Sequence, residues 1–195
     1  MTPKEIVVKF AHSLDQFETI AREPSDSDLT RIWEVVAPLL LQTPYDETGA
    51  VHNLIGLIHP EAEYIMRYGT AFTEPARVRA YDSSIGEDAT AVVWARTEAA
   101  HKAKRADRAT YKTAQRETAQ FILAVVDNTW VRELRDTETL YTDVAPRALL
   151  FHLQAGCTDR HSLDLLVMHN EMQRYHLGVK GIPKYTLLKD INAGN

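Results

Sequence analysis

A chain of 195 residues, 45% hydrophobic and 25% charged, is long enough to bury a core as one domain or two small ones. Its net charge of -5 argues against a stand-alone nucleic-acid-binding protein, which ordinarily carries a basic balance. The single cysteine, Cys157, excludes an internal disulfide framework and points to a reducing compartment. The opening MTPKEIVVKF has an acidic Glu5 and too short an apolar run for a signal peptide, and no window approaches the roughly 18 apolar residues of a membrane span. The expectation is a soluble, cytoplasmic protein without a membrane partner.

In chain order, Ile6, Phe10, Leu14 and Phe17 keep helical spacing, although Ile6-Val7-Val8 is β-branched and also suits a short strand. Pro24 to Asp28 is a turn rich in caps. After it Leu29, Ile32, Trp33, Val36, Leu39 and Leu40 form a helical stripe that Pro38 is expected to kink or end. Pro44-Tyr45-Asp46 starts a loop. A short apolar helix is expected from Val51 to Ile58, and a second from Glu61 to Tyr68 with Gly69 as its stop. Thr70 to Gly86, with Pro75 and Asp82-Ser83-Ser84, reads as an extended connection.

The stretch Ala89 to Leu134 lacks proline and glycine and is dominated by strong helix formers, with Glu87 and Asp88 placed to cap it. It predicts one long scaffold helix, or two broken near Asp107, that turns apolar from Phe121 to Val126. Asp127-Asn128-Thr129 is a break before Trp130 to Leu134. A helix from Val144, with Pro146 in its first turn, should bury Ala145, Leu149 and Leu153 and end at Gly156. Another runs from Ser162 to Leu177, and a last short one follows Gly181-Ile182-Pro183. The three tryptophans, Trp33, Trp94 and Trp130, read as core anchors in amphipathic helices. The fold class is all-α, an irregular multi-helix bundle. It divides into a helical segment with its extended connection at 1–86 and a main bundle at 87–195, or forms one domain over 1–195.

Two clusters could carry chemistry. Lys104, Arg108, Lys112 and Arg116 recur every four residues, with Arg105 beside them, and make a basic ridge able to follow a phosphate backbone or an acidic partner. A solvated helix face is the stronger reading, because Tyr111 alone interleaves as an aromatic residue. His152, Cys157, His161, His169 and His176, with Asp159 and Asp164, have the right atoms for zinc. The histidines do not share a helical face, and no second cysteine is at hand. Asp82-Ser83-Ser84 lacks the glycine of an aspartic-protease triplet. No phosphate loop, nucleophile elbow or His-Glu-x-x-His occurs. No catalytic or metal-binding residue, cofactor or small-molecule substrate is assigned, and the chain is expected not to be an enzyme.

The order of several strings resembles the capsid-like region of the Gag polyprotein of copia-type LTR retrotransposons. They are Phe10-Ala11-His12-Ser13-Leu14-Asp15-Gln16-Phe17, then Pro44-Tyr45-Asp46 with His52-Asn53-Leu54-Ile55-Gly56-Leu57-Ile58. The Ala-rich stretch Trp94 to Val126 follows, then Asp127-Asn128-Thr129-Trp130-Val131-Arg132-Glu133-Leu134. Leu140-Tyr141-Thr142-Asp143 and His152-Leu153-Gln154-Ala155-Gly156-Cys157 complete them. The resemblance covers roughly Phe10 to Asp190. It implies an all-helical capsid lobe that assembles with copies of itself around element RNA, as a non-enzymatic structural protein of a transposable element. The family's second lobe and zinc knuckle have no counterpart, and Cys157 by itself cannot build a knuckle. The expectation is therefore a truncated or decayed element or a host-retained fragment, with a helical adaptor or RNA-binding module using the Lys104–Arg116 ridge as the rival reading.

Overall fold

The computed structural model describes residues 1–45, 52–78 and 90–157 of the chain. The fold is all-α, and its compact units comprise Met1–Leu153 and Gln154–Asn195. The boundary expected at residues 86–87 lies outside the described residues, as do the Glu87 and Asp88 caps, Asp82-Ser83-Ser84 and the expected helices from Ser162 onward.

Helix α1 spans Pro3–Gln16 and opens with a capping box: Thr2 Oγ1 accepts from the Glu5 amide, and the Glu5 carboxylate accepts from the Thr2 amide at 2.7 Å. Ile6 and Phe10, one turn apart, are its buried face. That capped helix overrides the β-branched run Ile6-Val7-Val8, which leaves Val7 and Val8 on the outer surface. The bundle turns on the ring of Phe121, in helix α4 (Ala91–Val125). Phe10 and Phe17 both meet that ring edge-on, with centroids at 6.1 and 5.5 Å. Each such pair is worth about 0.5–1.5 kcal/mol beyond the area it buries. Beyond α1, the Ile20 amide donates to the Val125 carbonyl at 2.7 Å and ties the chain to the end of α4.

Helix α2 spans Asp26–Leu41 and buries Leu29, Ile32, Val36 and Leu40, so the expected stripe holds at those four positions. Trp33 and Leu39 are only half-buried. Pro38 does not end the helix, which runs on to Leu41. It lies on the exposed side within the last turn, where one missing amide costs a single bond, while Leu40 beyond it stays in the core. At the other end Asp28 is 2% exposed. Its carboxylate accepts from the Ser25 amide at 2.9 Å and the Ser25 hydroxyl at 2.5 Å, and pairs with Arg22 at 2.8 Å. Burial pushes its pKa up, but the Ser25 hydrogen bonds and the Arg22 guanidinium outweigh it and hold the group below the usual 3.8.

After the two-residue strands β1 (Pro44–Tyr45) and β2 (His52–Asn53), paired antiparallel, the chain makes a single 3-10 turn over Leu54–Leu57. The longer helix expected from Val51 does not form among the described residues. Leu54, Ile55, Leu57 and Ile58 are all buried, so the segment has apolar contacts on every side and no polar face to lay along solvent. Gly56 is required there: a Cβ would stand 2.2 Å from Phe72 Cγ. Arg147 also reaches its carbonyl at 2.5 Å. Helix α3, Glu61–Tyr68, stops at Gly69 in the left-handed region (φ 78°), as its sequence indicated.

Helix α4 is unbroken at Asp107. It buries Tyr111, Ala114, Thr118, Ala119, Phe121, Ile122 and Val125, and residues 91–110 carry no buried side chain. It is followed by 3-10 turns at Asn128–Trp130 and Arg132–Leu134. A fifth helix, α5, covers residues 146–157 and buries Leu149, Leu150 and Leu153. Ala145, expected in that core, precedes the helix and is exposed, and α5 runs through Gly156 rather than ending there.

None of the three tryptophans is fully buried, and Trp130 sits in a 3-10 turn rather than an amphipathic helix. The aromatic anchor is Phe121, 2% exposed. Phe121→Ala should therefore cost about 3–5 kcal/mol in chemical denaturation, and Trp94→Ala no more than about half of that. Equal losses would contradict this placement of the core. Because the folded pKa of Asp28 is depressed, its contribution is complete above 3.8 and is lost as pH falls through the lower folded value. Stability measured from pH 5 down to 2 should fall less steeply for Asp28→Asn than for the wild type.

Candidate interaction surface

The basic ridge lies on α4, and its members have different fates. Lys104 and Arg105 are exposed and form no ion pair among the described residues. One turn on, Arg108 lies 3.3 Å from Glu74 and donates to the Pro75 carbonyl. Lys112 reaches the same Glu74 oxygen at 2.8 Å and also donates to Gln115 at 3.1 Å. Arg116 grips its neighbour Glu117 with two nitrogens, at 2.8 and 2.9 Å. Lys104, Arg105, Lys112 and Arg116 are exposed, as a solvated face expects, and Arg108 is half-buried; the charges of Arg108, Lys112 and Arg116 are met within the chain.

The latch exists because the connection after α3 lies along α4. Phe72 bridges the two helices: its ring is 5.3 Å from that of Tyr64 on α3 and stacks at 6.0 Å on Tyr111 of α4. Two residues later Glu74 faces the cations, and Pro75 is buried. Tyr111, the ridge's interleaved aromatic, is itself 6% exposed. Its face is committed to Phe72, so it is no platform for a base. Burial, and then the nearby Glu74 carboxylate, push its phenol up to about 12.

Beside the latch a cavity of about 790 Å³ is lined by Lys112, Arg116, Leu123 and Leu140 to Val144 among others. Leu140 is held at φ 58° by a turn in which Asp136 Oδ1 accepts the amides of Glu138 and Thr139 at 2.8 and 2.9 Å. These two backbone donors hold the Asp136 carboxyl below its ordinary value. The cavity joins cations already paired to carboxylates with a rim of hydroxyls and aliphatic groups.

His152 and Cys157 are half-buried on α5, whereas His161, His169, His176, Asp159 and Asp164 lie outside the described residues. Among the described residues no three His, Cys, Asp or Glu side chains converge on a point, and no helix is long and apolar enough to cross a membrane.

Sequence reasoning missed Glu74. A lone carboxylate in an irregular segment carries no periodic signal, and only the Phe72-x-Glu74-Pro75 spacing hints at an anchored strap. The latch is checked by absorbance at 295 nm. Tyr111 should ionise near pH 12, and Tyr111→Phe should remove that late step. Its raised value means that any stabilisation it provides is complete below pH 10 and fades as pH rises through 12.

No protein-family model, curated protein or solved structure matches the chain.

Proposed function

We propose that this chain is a non-enzymatic, capsid-like structural protein whose work is association with copies of itself through exposed helix faces. The observation that carries the reading is the first half of α4: twenty residues, 91–110, about 30 Å of helix, without a buried side chain. Val92 at its tip is 76% exposed. The outer side of α1 adds Val7, Val8 and Leu14. Apolar residues on the outside of rigid helices mark surfaces that gain by being covered. The resemblance to the capsid-like region of copia-type Gag gives the same direction from the sequence side.

A second reading, a helical adaptor or RNA-binding module, is favoured by Lys102, Lys104 and Arg105, three exposed cations within one turn of α4. Light scattering across concentration and salt separates the two. The capsid-like reading expects molar mass to rise with protein concentration in the absence of any added partner. The adaptor reading expects a monomer that captures a fluorescent RNA oligonucleotide with an affinity falling steeply as salt rises. A monomer at every concentration tested would overturn the capsid-like reading.

A further inference from the structure

We propose that the outer face of α3 and the outer face of the α4 arm are the two halves of one head-to-tail interface between copies of this chain. This rests on the self-association argued above and names its surfaces.

Helix α3 turns Tyr64 fully inward. At 100° per residue the opposite sector holds Ala62, Ile65 and Met66, and Met66 is 85% exposed. Glu61 falls on one flank of that apolar ridge and Glu63 on the other, both exposed. Glu63 also lies 3.4 Å from His59, which aligns it along the helix edge. The α3 surface is therefore a short aliphatic ridge between two carboxylates, with the exposed Arg67 next to Glu63 and its guanidinium 5.8 Å from the Tyr68 ring.

The α4 arm is its chemical opposite. Val92, Arg96, Ala99 and Ala103 share one sector, with Val93, Ala100 and Lys104 alongside, and all are exposed. Arg96 and Lys104, eight residues or about 12 Å apart, bracket the alanines. Neither forms an ion pair among the described residues. Asp107, the single acid on this sector, is half-buried at its inner end. Alanines let a second helix approach closely, and an unbranched methionine fits the shallow trough they leave.

Charge selects the pairing. Arm on arm sets the cations Arg96 and Lys104 against their own copies, and α3 on α3 does the same with Glu61 and Glu63. Both self-matched arrangements are repulsive, whereas arm on α3 places two cations against two carboxylates around an apolar centre. Each copy keeps one unused half, so the contact repeats and builds a ring or an open filament rather than a closed two-fold dimer.

The test uses the full chain in three forms: wild type, Arg96→Glu/Lys104→Glu, and Glu61→Lys/Glu63→Lys. Sedimentation velocity reads their mass and circular dichroism checks that helix content is kept. Each double variant alone should stay monomeric at concentrations at least about tenfold above those at which the wild type associates. An equimolar mixture of the two should associate again, since every arm then meets an α3 of opposite charge. Met66→Asp, an uncharged-to-charged change at the centre, should weaken association without rescue by either partner. If the wild type associates and Glu61→Lys/Glu63→Lys associates equally well, the interface is wrong while self-association stands. If the wild type never associates, self-association fails and this interface with it.

Discussion

The bundle depends on a single aromatic ring. Phe121 sits near the C-terminal end of α4 with Phe10 and Phe17 edge-on against it, and Arg31 of α2 covers Phe17 with its guanidinium at 5.0 Å. Three helices are brought to one point by that cluster. The Ile20–Val125 hydrogen bond and the apolar residues of α4 from Tyr111 onward extend the same seam. Because the seam engages only the second half of α4, the first half is left as an arm. That unequal division is the origin of the surface on which a functional reading can rest.

A second consequence concerns charge. Carboxylates and cations that look alike along the sequence are divided by the path of one irregular segment. Residues 70–78 leave Gly69, insert Phe72 between Tyr64 and Tyr111, and carry Glu74 onto Arg108 and Lys112. The ion pairs are partly exposed, with Glu74 at 43%, so their energetic value is modest. Their consequence is positional. They hold the strap in register on α4, pair the ridge's centre with Glu74 and leave Arg96, Lys102, Lys104 and Arg105 as the cations presented on the arm.

How far the sequence anticipated this varies with the range of the interaction. Helix α3 with its Gly69 stop and the spacing of buried positions on α2 follow from residues three or four apart, and they were legible; the Thr2–Glu5 capping box has the same short range but was not read. The 3-10 turn at Leu54–Leu57 was not legible. Four apolar residues in a row suit a buried helix or a buried turn equally well, and the contact that packs this turn, Phe72 closing on Gly56, comes from sixteen residues away. The tryptophans misled for a related reason. Size argues for burial, yet it is Phe121, with Phe10 and Phe17 against it, that lies where α1 and α4 meet.

The sequence by itself determined an all-α class, one long run of helix formers and the Gly69 stop of α3, since each of these is set within a turn or two of the chain. Tertiary structure decided which part of that long helix is core and which is arm, and which cations are latched and which are presented. Those outcomes depend on where residues far apart in the chain come to lie. Neither a period of 3.6 nor a charge spacing of four encodes the side from which a distant carboxylate or ring will approach.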